Sequence, residues 1–277
     1  MFKCGKCGKV KKGVEMMGKL IFIGLGLYDE RDITLKGLER VKDCDVCFAE
    51  FYTAVLTGTN IERIESVTGK EIRVLSREDV EDGNAILNEA VDKNVAFLVP
   101  GDPMTATTHL DLRLRALDLR IETEIVHGSS VITAVASLLG LQHYKFGRIT
   151  TIPFIQDGFF PESPYDVIKS NKENGLHTLV LLDIEGDARC MKANEGMQYL
   201  LALEEKREEG VITTGTLICV VARAGSSRPK IRAGYIKDLM NENFGEPMHT
   251  LVLPASLHFM EADALVKLAG APEEIKD

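Results

Sequence analysis

Short apolar runs alternate with longer, charged segments along most of the chain. In the first half the apolar runs predict five strands, at residues 20–23, 45–48, 72–75, 95–99 and 121–126. Helical patterns lie between them at residues 33–42, 78–92 and 106–120, and Asp32 is placed to cap the first of these helices. Strands that alternate with helices of this length predict a parallel sheet covered on both faces.

The second half repeats this pattern less regularly. Apolar runs predict strands at residues 178–184, 216–222 and 250–253, with a weaker one at 231–235, and helices at 194–206 and 259–268. A connection at residues 140–147 separates the halves. We therefore expect an N-terminal extension at residues 1–16, which should be disordered, an N-terminal α/β domain at 17–126 and a C-terminal α/β domain at 127–277.

Composition and charge narrow the class of protein. The chain has 277 residues, is 45% hydrophobic and 27% charged, and carries a formal net charge of −9. These values are typical of a soluble globular protein and argue against a general nucleic-acid binder, which needs clustered Lys and Arg. The dense apolar part of the longest uncharged stretch, residues 131–141, is too short to cross a membrane, so no membrane contact is expected. No secretory signal is visible and six cysteines suit a reducing compartment, which predicts a cytoplasmic protein.

Two glycine loops follow predicted strands. The first runs from Gly24 to Asp32, but Asp29 occupies the third glycine position of a dinucleotide fingerprint, and its acidic neighbours would repel a pyrophosphate. No phosphate-binding G-x-x-x-x-G-K-[ST] motif occurs. Taken alone, this loop is equally well explained as a tight turn between a strand and a helix.

The second loop is Pro100-Gly101-Asp102-Pro103, in which two prolines limit the motion of Asp102. We expect Asp102 to be a solvent-facing carboxylate, although the same residues also make a good turn without a ligand. A third loop, at residues 127–131, carries Ser129 and Ser130, either of which could simply cap the next helix. Loops of small residues with one carboxylate and no basic clamp suit a neutral or cationic ligand, such as a sulfonium cofactor with an amino-acid tail.

Motifs spread over residues 19 to 275 carry a family resemblance. In chain order they are Gly-Leu-Gly-Leu-Tyr-Asp-Glu-Arg-Asp-Ile-Thr at 24–34, Ala-Glu-Phe-Tyr-Thr at 49–53, Leu-Ser-Arg-Glu-Asp-Val at 75–80, Pro-Gly-Asp-Pro at 100–103, Ala-Thr-Thr-His at 106–109, Tyr-Lys-Phe-Gly at 144–147, His-Thr-Leu at 177–179, Ala-Arg-Ala-Gly-Ser at 222–226 and Ile-Arg-Ala-Gly-Tyr at 231–235. With these motifs the chain resembles the diphthine synthases, the archaeal and eukaryotic branch of the tetrapyrrole-methylase superfamily.

The resemblance implies an S-adenosylmethionine-dependent N-methyltransferase. Its substrate would be translation elongation factor 2, at a histidine that already carries an aminocarboxypropyl group. Methylation of the amino group of that side chain gives diphthine, with S-adenosylhomocysteine as the other product. The implied fold is α/β, with two α/β domains and a cofactor cleft between them. It is not the Rossmann-like methyltransferase fold, and a homodimer is the expected assembly.

The resemblance also implies a set of cofactor-binding residues, and it assigns no catalytic residue and no metal ligand. The cofactor-binding residues are Leu27, Asp102, Thr105, Ser130, Val131, Leu182, Ala224 and His249. Two positions depart from the family pattern, because Ser129 stands where proline is frequent and Thr105 where a small apolar residue is common. His249, which precedes an apolar strand, could instead be a purely structural histidine.

Four cysteines form two C-x-x-C motifs, Cys4/Cys7 and Cys44/Cys47. A joint zinc site is not expected, because the residues between the motifs include a strand and a helix. We expect Cys44 and Cys47 to be buried thiols on opposite faces of a strand. Cys4 and Cys7 remain candidates for metal binding or oxidation, although Met16 or Met17 could be the native start of the chain.

Two other functions fit parts of the sequence. A corrin-type tetrapyrrole methyltransferase would share the fold and the cofactor, and a zinc or RNA adaptor would use the lysine-rich cysteine tail. A further expectation concerns residues 154–165, which combine four aromatic residues with two prolines. This segment should either border the acceptor protein or fill the core with its phenylalanines.

Overall fold

The computed structural model of the chain describes residues 18–156, 158–185 and 189–277. The predictions for the extension at residues 1–16, including Cys4 and Cys7, lie outside the described residues. Within the described ranges, no helix is both long enough and apolar enough to cross a membrane.

A parallel five-stranded sheet, in the order β3-β2-β4-β1-β5, forms the centre of the first half. The elements are β1 (Lys19–Gly24), α1 (Leu35–Asp43), β2 (Val46–Glu50), α2 (Ile61–Thr68), β3 (Arg73–Leu75), α3 (Arg77–Asp82), α4 (Asn84–Ala90), β4 (Asn94–Val99), α5 (His109–Asp118) and β5 (Glu122–Val126), with a short 3₁₀ turn at Glu30–Asp32. Side chains alternate between the two faces of β1, so Leu20 and Phe22 enter one apolar cluster while Ile21 and Ile23 enter the other. Both faces of the sheet are therefore buried, as the apolar runs predicted.

A second five-stranded sheet, in the order β11-β10-β12-β7-β6, organises the second half. The elements are α6 (Val131–Leu139), β6 (Thr150–Ile152), α7 (Ser163–Glu173), β7 (Thr178–Leu182), β8 (Ile184–Glu185), β9 (Arg189–Cys190), α8 (Ala193–Arg207), β10 (Leu217–Ala222), β11 (Lys230–Tyr235), α9 (Ile236–Leu239), β12 (His249–Leu253) and α10 (Phe259–Ala269), with 3₁₀ turns at His143–Lys145 and Glu273–Lys276. Only the pairing of β6 with β7 is parallel in this sheet, and its other pairings are antiparallel. The α/β fold class is confirmed, and the domain division at residue 126 stays a prediction.

Two helix predictions differ from the structure. Asp32 does not cap α1, because Thr34 does so by accepting a hydrogen bond from the N–H of Gly37. The Asp32 carboxylate instead accepts from the N–H groups of Leu27 and Tyr28, which closes the glycine loop on itself. The predicted helix 78–92 is two helices, α3 and α4, since Gly83 between them has a left-handed φ of 71°.

The aromatic segment 154–165 divides between core and surface. Phe154 and Tyr165 are buried in the core of the second half, and Tyr165 belongs to α7 rather than to a loop. Phe160 packs edge-on against Tyr199, with ring centroids 4.8 Å apart. Phe159 is 54% exposed. The prediction of one docking loop is therefore wrong for Phe154 and Tyr165, and it stays a prediction for Phe159.

The cysteine predictions are confirmed in one respect and wrong in another. Cys44 and Cys47 are free and buried, and burial raises the pKa of the Cys44 thiol to about 12, so it is protonated and inert at neutral pH. They do not lie on opposite faces of a strand. Cys44 follows α1 and precedes β2, and both cysteines pack in the same apolar cluster.

Candidate active site

Three loops at the carboxyl ends of β1, β4 and β5 meet with their backbones in contact. The central strand β1 pairs with β4 on one side and β5 on the other, which brings the three loops together. Gly26 and Gly101 exchange backbone hydrogen bonds of 3.2 and 2.6 Å. A Cβ atom on Gly24 would lie 2.5 Å from the carbonyl oxygen of Gly101 and 2.5 Å from the nitrogen of Gly128. Gly24 and Gly128 are therefore glycines because two backbones pass too closely for any side chain.

A cavity, partly open to solvent, lies between these loops and the second sheet. Its walls are mostly apolar and small side chains with a few polar groups, as is typical of a small-molecule site. All eight residues that the sequence resemblance assigned to the cofactor line it: Leu27, Asp102, Thr105, Ser130, Val131, Leu182, Ala224 and His249. The structure thus brings the predicted set together, while the binding of a cofactor there stays a prediction.

Asp102 is held by three hydrogen bonds. Its carboxylate accepts from the N–H of Met104 and the hydroxyl of Thr105, both at 3.0 Å, and pairs with Nδ1 of His127 at 2.7 Å. Asp102 is only 8% exposed, so the expectation of a solvent-facing carboxylate is wrong. Burial alone would raise the pKa of Asp102, but the bonds from Met104, His127 and Thr105 outweigh it and hold the pKa below its usual value. Asp102 is therefore ionised at neutral pH.

Asp102 also sets the charge of the cavity. Among the described residues that line it, Asp102 is the only one with a formal charge. A carboxylate has about four acceptor positions, and three are occupied by the protein, which leaves capacity for a ligand donor. A single negative charge among apolar and small side chains favours a cationic or neutral ligand over a phosphate.

The backbone shapes the remaining walls of the cavity. Ser130 caps α6 by accepting from the N–H of Ile132, so Val131 begins the helix at the cavity edge. Gly101 lines the cavity with a φ of 71°, and a Cβ built there would meet no heavy atom closer than 4.0 Å. Its missing side chain therefore leaves cavity volume open. Ala106, also in the wall, has a left-handed φ of 56°, a strained conformation that clusters at functional sites.

His249 is fully engaged by the protein. The N–H of Ala193 donates to its Nδ1 at 3.1 Å, so Nε2 carries the proton and donates to the carbonyl of Glu246 at 3.0 Å. Burial lowers the pKa of His249, which keeps the ring neutral. Neither ring nitrogen is free for a ligand. His249 therefore lines the cavity with the surface of its ring, and its hydrogen bonds fix the start of β12. It is both a structural histidine and part of the cavity wall.

One part of the wall was missed in the sequence. The carboxylate of Glu50 is buried and accepts from the N–H of Tyr52 at 2.9 Å, and from the N–H of Thr53 at 3.0 Å and its hydroxyl. Burial raises the pKa of Glu50, against the lowering effect of these hydrogen bonds. The bonds fix the loop after β2, and Thr53 of that loop lines the cavity. The motif at residues 49–53 carried this signal, but nothing in its composition indicated a binding wall.

Residues 19–240 match the family of Tetrapyrrole (Corrin/Porphyrin) Methylases. This match covers well over half of the chain. The chain belongs to the tetrapyrrole methylase family, and it is a methyltransferase.

Its relatives specify the branch of that family. The chain is 52% identical to the diphthine synthase of Methanosarcina mazei, over 93% of this chain and 98% of the relative. It is 55% identical to the diphthine synthase of Methanocaldococcus jannaschii, over 89% and 97% of the two chains. A crystal structure of diphthine synthase superposes with a TM-score of 0.85 at 36% identity and covers 93% of this chain and 98% of that one. The chain falls among the diphthine synthases.

Proposed function

We propose that the chain transfers methyl groups from S-adenosylmethionine to translation elongation factor 2. The acceptor is the amino group of an aminocarboxypropyl-histidine, and the product is diphthine, as in the protein family to which the chain belongs. The observation that carries this proposal is the single cavity in which all eight residues of the implied cofactor set meet.

The residues present fit such a cofactor. Leu27, Val131 and Leu182 offer apolar surface for an adenine ring and a thioether chain, and Gly101 leaves the space that a side chain would fill. The Asp102 carboxylate can accept a hydrogen bond from a ribose hydroxyl or an ammonium group. The absence of a basic clamp among the described lining residues suits a cofactor that carries no phosphate.

The chemistry requires positioning more than proton transfer by the protein. S-adenosylmethionine supplies a methyl group on a positively charged sulfur. The acceptor amine, after giving its ammonium proton to water, would take this methyl group on its lone pair while the electrons of the C–S bond stay on sulfur. The cavity walls would hold the two reacting atoms in line about 3 to 3.5 Å apart and exclude competing water. No residue of the chain has to act as a nucleophile.

Three wider statements belong to the same proposal. The chain acts as a homodimer, it works in the cytoplasm, and its N-terminal and C-terminal α/β domains divide at residue 126. The placement of the cavity supports the division, since it is lined by residues from both sides of that position.

The test offers methyl-labelled S-adenosylmethionine with three acceptors. These are elongation factor 2 with the aminocarboxypropyl group, the unmodified factor, and a corrin precursor. We expect label only in the modified factor. Label in the corrin precursor alone would replace the proposal by the tetrapyrrole reaction, and label in the unmodified factor would show that the aminocarboxypropyl amine is not the acceptor.

A further inference from the structure

A second cavity adjoins the first. It is also partly open to solvent. The two cavities share one wall, made of Thr53, Ala106, Thr107, Leu181 and Leu182. A molecule in the second cavity therefore lies beside whatever occupies the first. Adjacent sites are one requirement of a group transfer between two bound molecules, whose reacting atoms have to come within about 3 to 3.5 Å of each other.

The charges in the second cavity differ from those in the first. Among its described lining residues, Arg77 is the only cation and Asp183 the only carboxylate. Arg77 begins α3 in the first half of the chain, and Asp183 follows β7 in the second half. The cavity thus presents one positive and one negative group, each from a different half of the molecule. A pair of opposite charges is complementary to the carboxylate and ammonium groups of an α-amino acid.

The protein holds Asp183 in place, whereas Arg77 has an exposed partner that it can exchange. The carboxylate of Asp183 accepts from the N–H groups of Phe154, at 2.8 Å, and Ile184, at 2.9 Å. These two bonds leave acceptor capacity on the carboxylate. The Arg77 guanidinium lies 5.6 Å from the centre of the Tyr52 ring and pairs with Glu81 at 3.1 Å. The pair with Glu81 is exposed, so it costs little to exchange for a better partner.

Tyr52 also lines this cavity, and its position is fixed. Burial raises the pKa of Tyr52 to about 12, so the hydroxyl keeps its proton at neutral pH. It lies 3.4 Å from Nε2 of His109, whose Nδ1 contacts the carbonyl of Pro103 at 3.0 Å. Since Nδ1 donates to this carbonyl, Nε2 accepts the O–H of Tyr52. Tyr52 is thereby fixed as an aromatic wall beside Arg77, and the guanidinium supplies the donors for a carboxylate.

We propose that the second cavity binds the amino-acid end of the acceptor side chain. Arg77, with Tyr52 beside it, binds the α-carboxylate, and Asp183 accepts a hydrogen bond from the α-amino group. The amine is then directed across the shared wall towards the methyl group in the first cavity. This inference rests on the proposed function, because it assumes that the acceptor carries an aminocarboxypropyl group.

The test measures the KM and kcat of methylation of aminocarboxypropyl-modified elongation factor 2. A hydrogen-bonded ion pair contributes about 1.5–3 kcal/mol, so Arg77→Gln should raise KM about 10- to 100-fold. The carboxylate is bound in both the ground state and the transition state, so kcat should change far less. Arg77→Lys should restore part of the loss, since it keeps the charge but not the two-pronged geometry.

The matched control is Arg73→Gln, an exposed arginine of β3 that is not among the residues lining either cavity. It should leave KM unchanged, and calorimetric titration should give the same S-adenosylmethionine affinity for the wild type and both Gln variants. A second variant, Asp183→Asn, should lower kcat/KM by at least tenfold at unchanged cofactor affinity.

Two failures can be told apart. If the wild type binds S-adenosylmethionine but leaves the modified factor unmethylated, the proposed function is wrong. If the wild type methylates the factor and Arg77→Gln has the same KM as Arg73→Gln, the assignment of the second cavity is overturned while the function stands.

Discussion

At the scale of single residues, the polar side chains of the candidate site already form hydrogen bonds within the protein when no ligand is bound. Asp102 has three partners, and both ring nitrogens of His249 are bonded. This fixes their positions and protonation states, which is the preorganisation that a binding site needs. Of the two residues, only Asp102 has capacity left for a hydrogen bond to a ligand.

The neutral state of His249 predicts a pH dependence of stability. Burial lowers its pKa below 6.5, so the unfolded chain binds more protons than the folded protein once the pH falls below about 6.5. The free energy of unfolding should therefore fall with decreasing pH, with His249 contributing up to about 1.4 kcal/mol per pH unit. His249→Gln, which can still accept from Ala193 and donate to Glu246, should have a shallower slope in urea unfolding between pH 7 and 5.

The exposed His143 gives the control for the substitution itself, since His143→Gln should keep the wild-type free energy of unfolding at pH 7. Parallel slopes for His249→Gln and the wild type would mean that the folded and unfolded states protonate His249 equally, contrary to its burial and hydrogen bonds.

At the scale of elements, the strands of the first sheet were predictable and the loops at their ends were not. The apolar run at residues 20–23 lies inside β1, because a strand buried on both faces has to be apolar throughout. The glycine loops looked like ordinary turns, since the reason for each glycine is a backbone that is distant in sequence. The antiparallel pairing in the second sheet was not predictable either, because the residues of one strand do not indicate which strand it pairs with or in which direction.

The contact between glycine loops predicts the effect of adding a methyl group. A Cβ on Gly128 would lie 2.2 Å from the carbonyl oxygen of Gly101, so one loop has to move. Gly128→Ala should lower the free energy of unfolding by about 1–3 kcal/mol and weaken S-adenosylmethionine binding, because both loops border the cavity. Chemical denaturation and calorimetry measure the two effects.

Gly215 supplies the matched control. A Cβ there would meet Thr213 Oγ1 at 3.7 Å, an ordinary contact. Gly215→Ala should leave binding unchanged and keep or slightly raise stability. Equal stability of Gly128→Ala and Gly215→Ala would contradict the close approach of the loops.

At the scale of the whole molecule, the site exists only because two unlike sheets meet. Leu27, Asp102 and Thr105 come from the parallel half, whereas Leu182, Ala224 and His249 come from the mostly antiparallel half. The spacing of these residues in the sequence does not predict that they lie in one cavity. The family resemblance alone implied the set. Arg77 and Asp183 were absent from that set. Only the packing of the two halves places them in one cavity.

The most direct measurement of the central claim is a calorimetric titration of the wild type and Asp102→Ala with S-adenosylmethionine. Loss of a hydrogen bond to the charged carboxylate, about 1.5–3 kcal/mol, should weaken binding roughly 10- to 100-fold. Asp102→Asn should fall between, and Asp111→Ala, at an exposed carboxylate of α5, should bind like the wild type. Asp102→Ala also leaves buried donors unpaired, so it should be titrated well below its melting temperature. Wild-type affinity in folded Asp102→Ala would contradict the claim that this cavity holds the methyl donor.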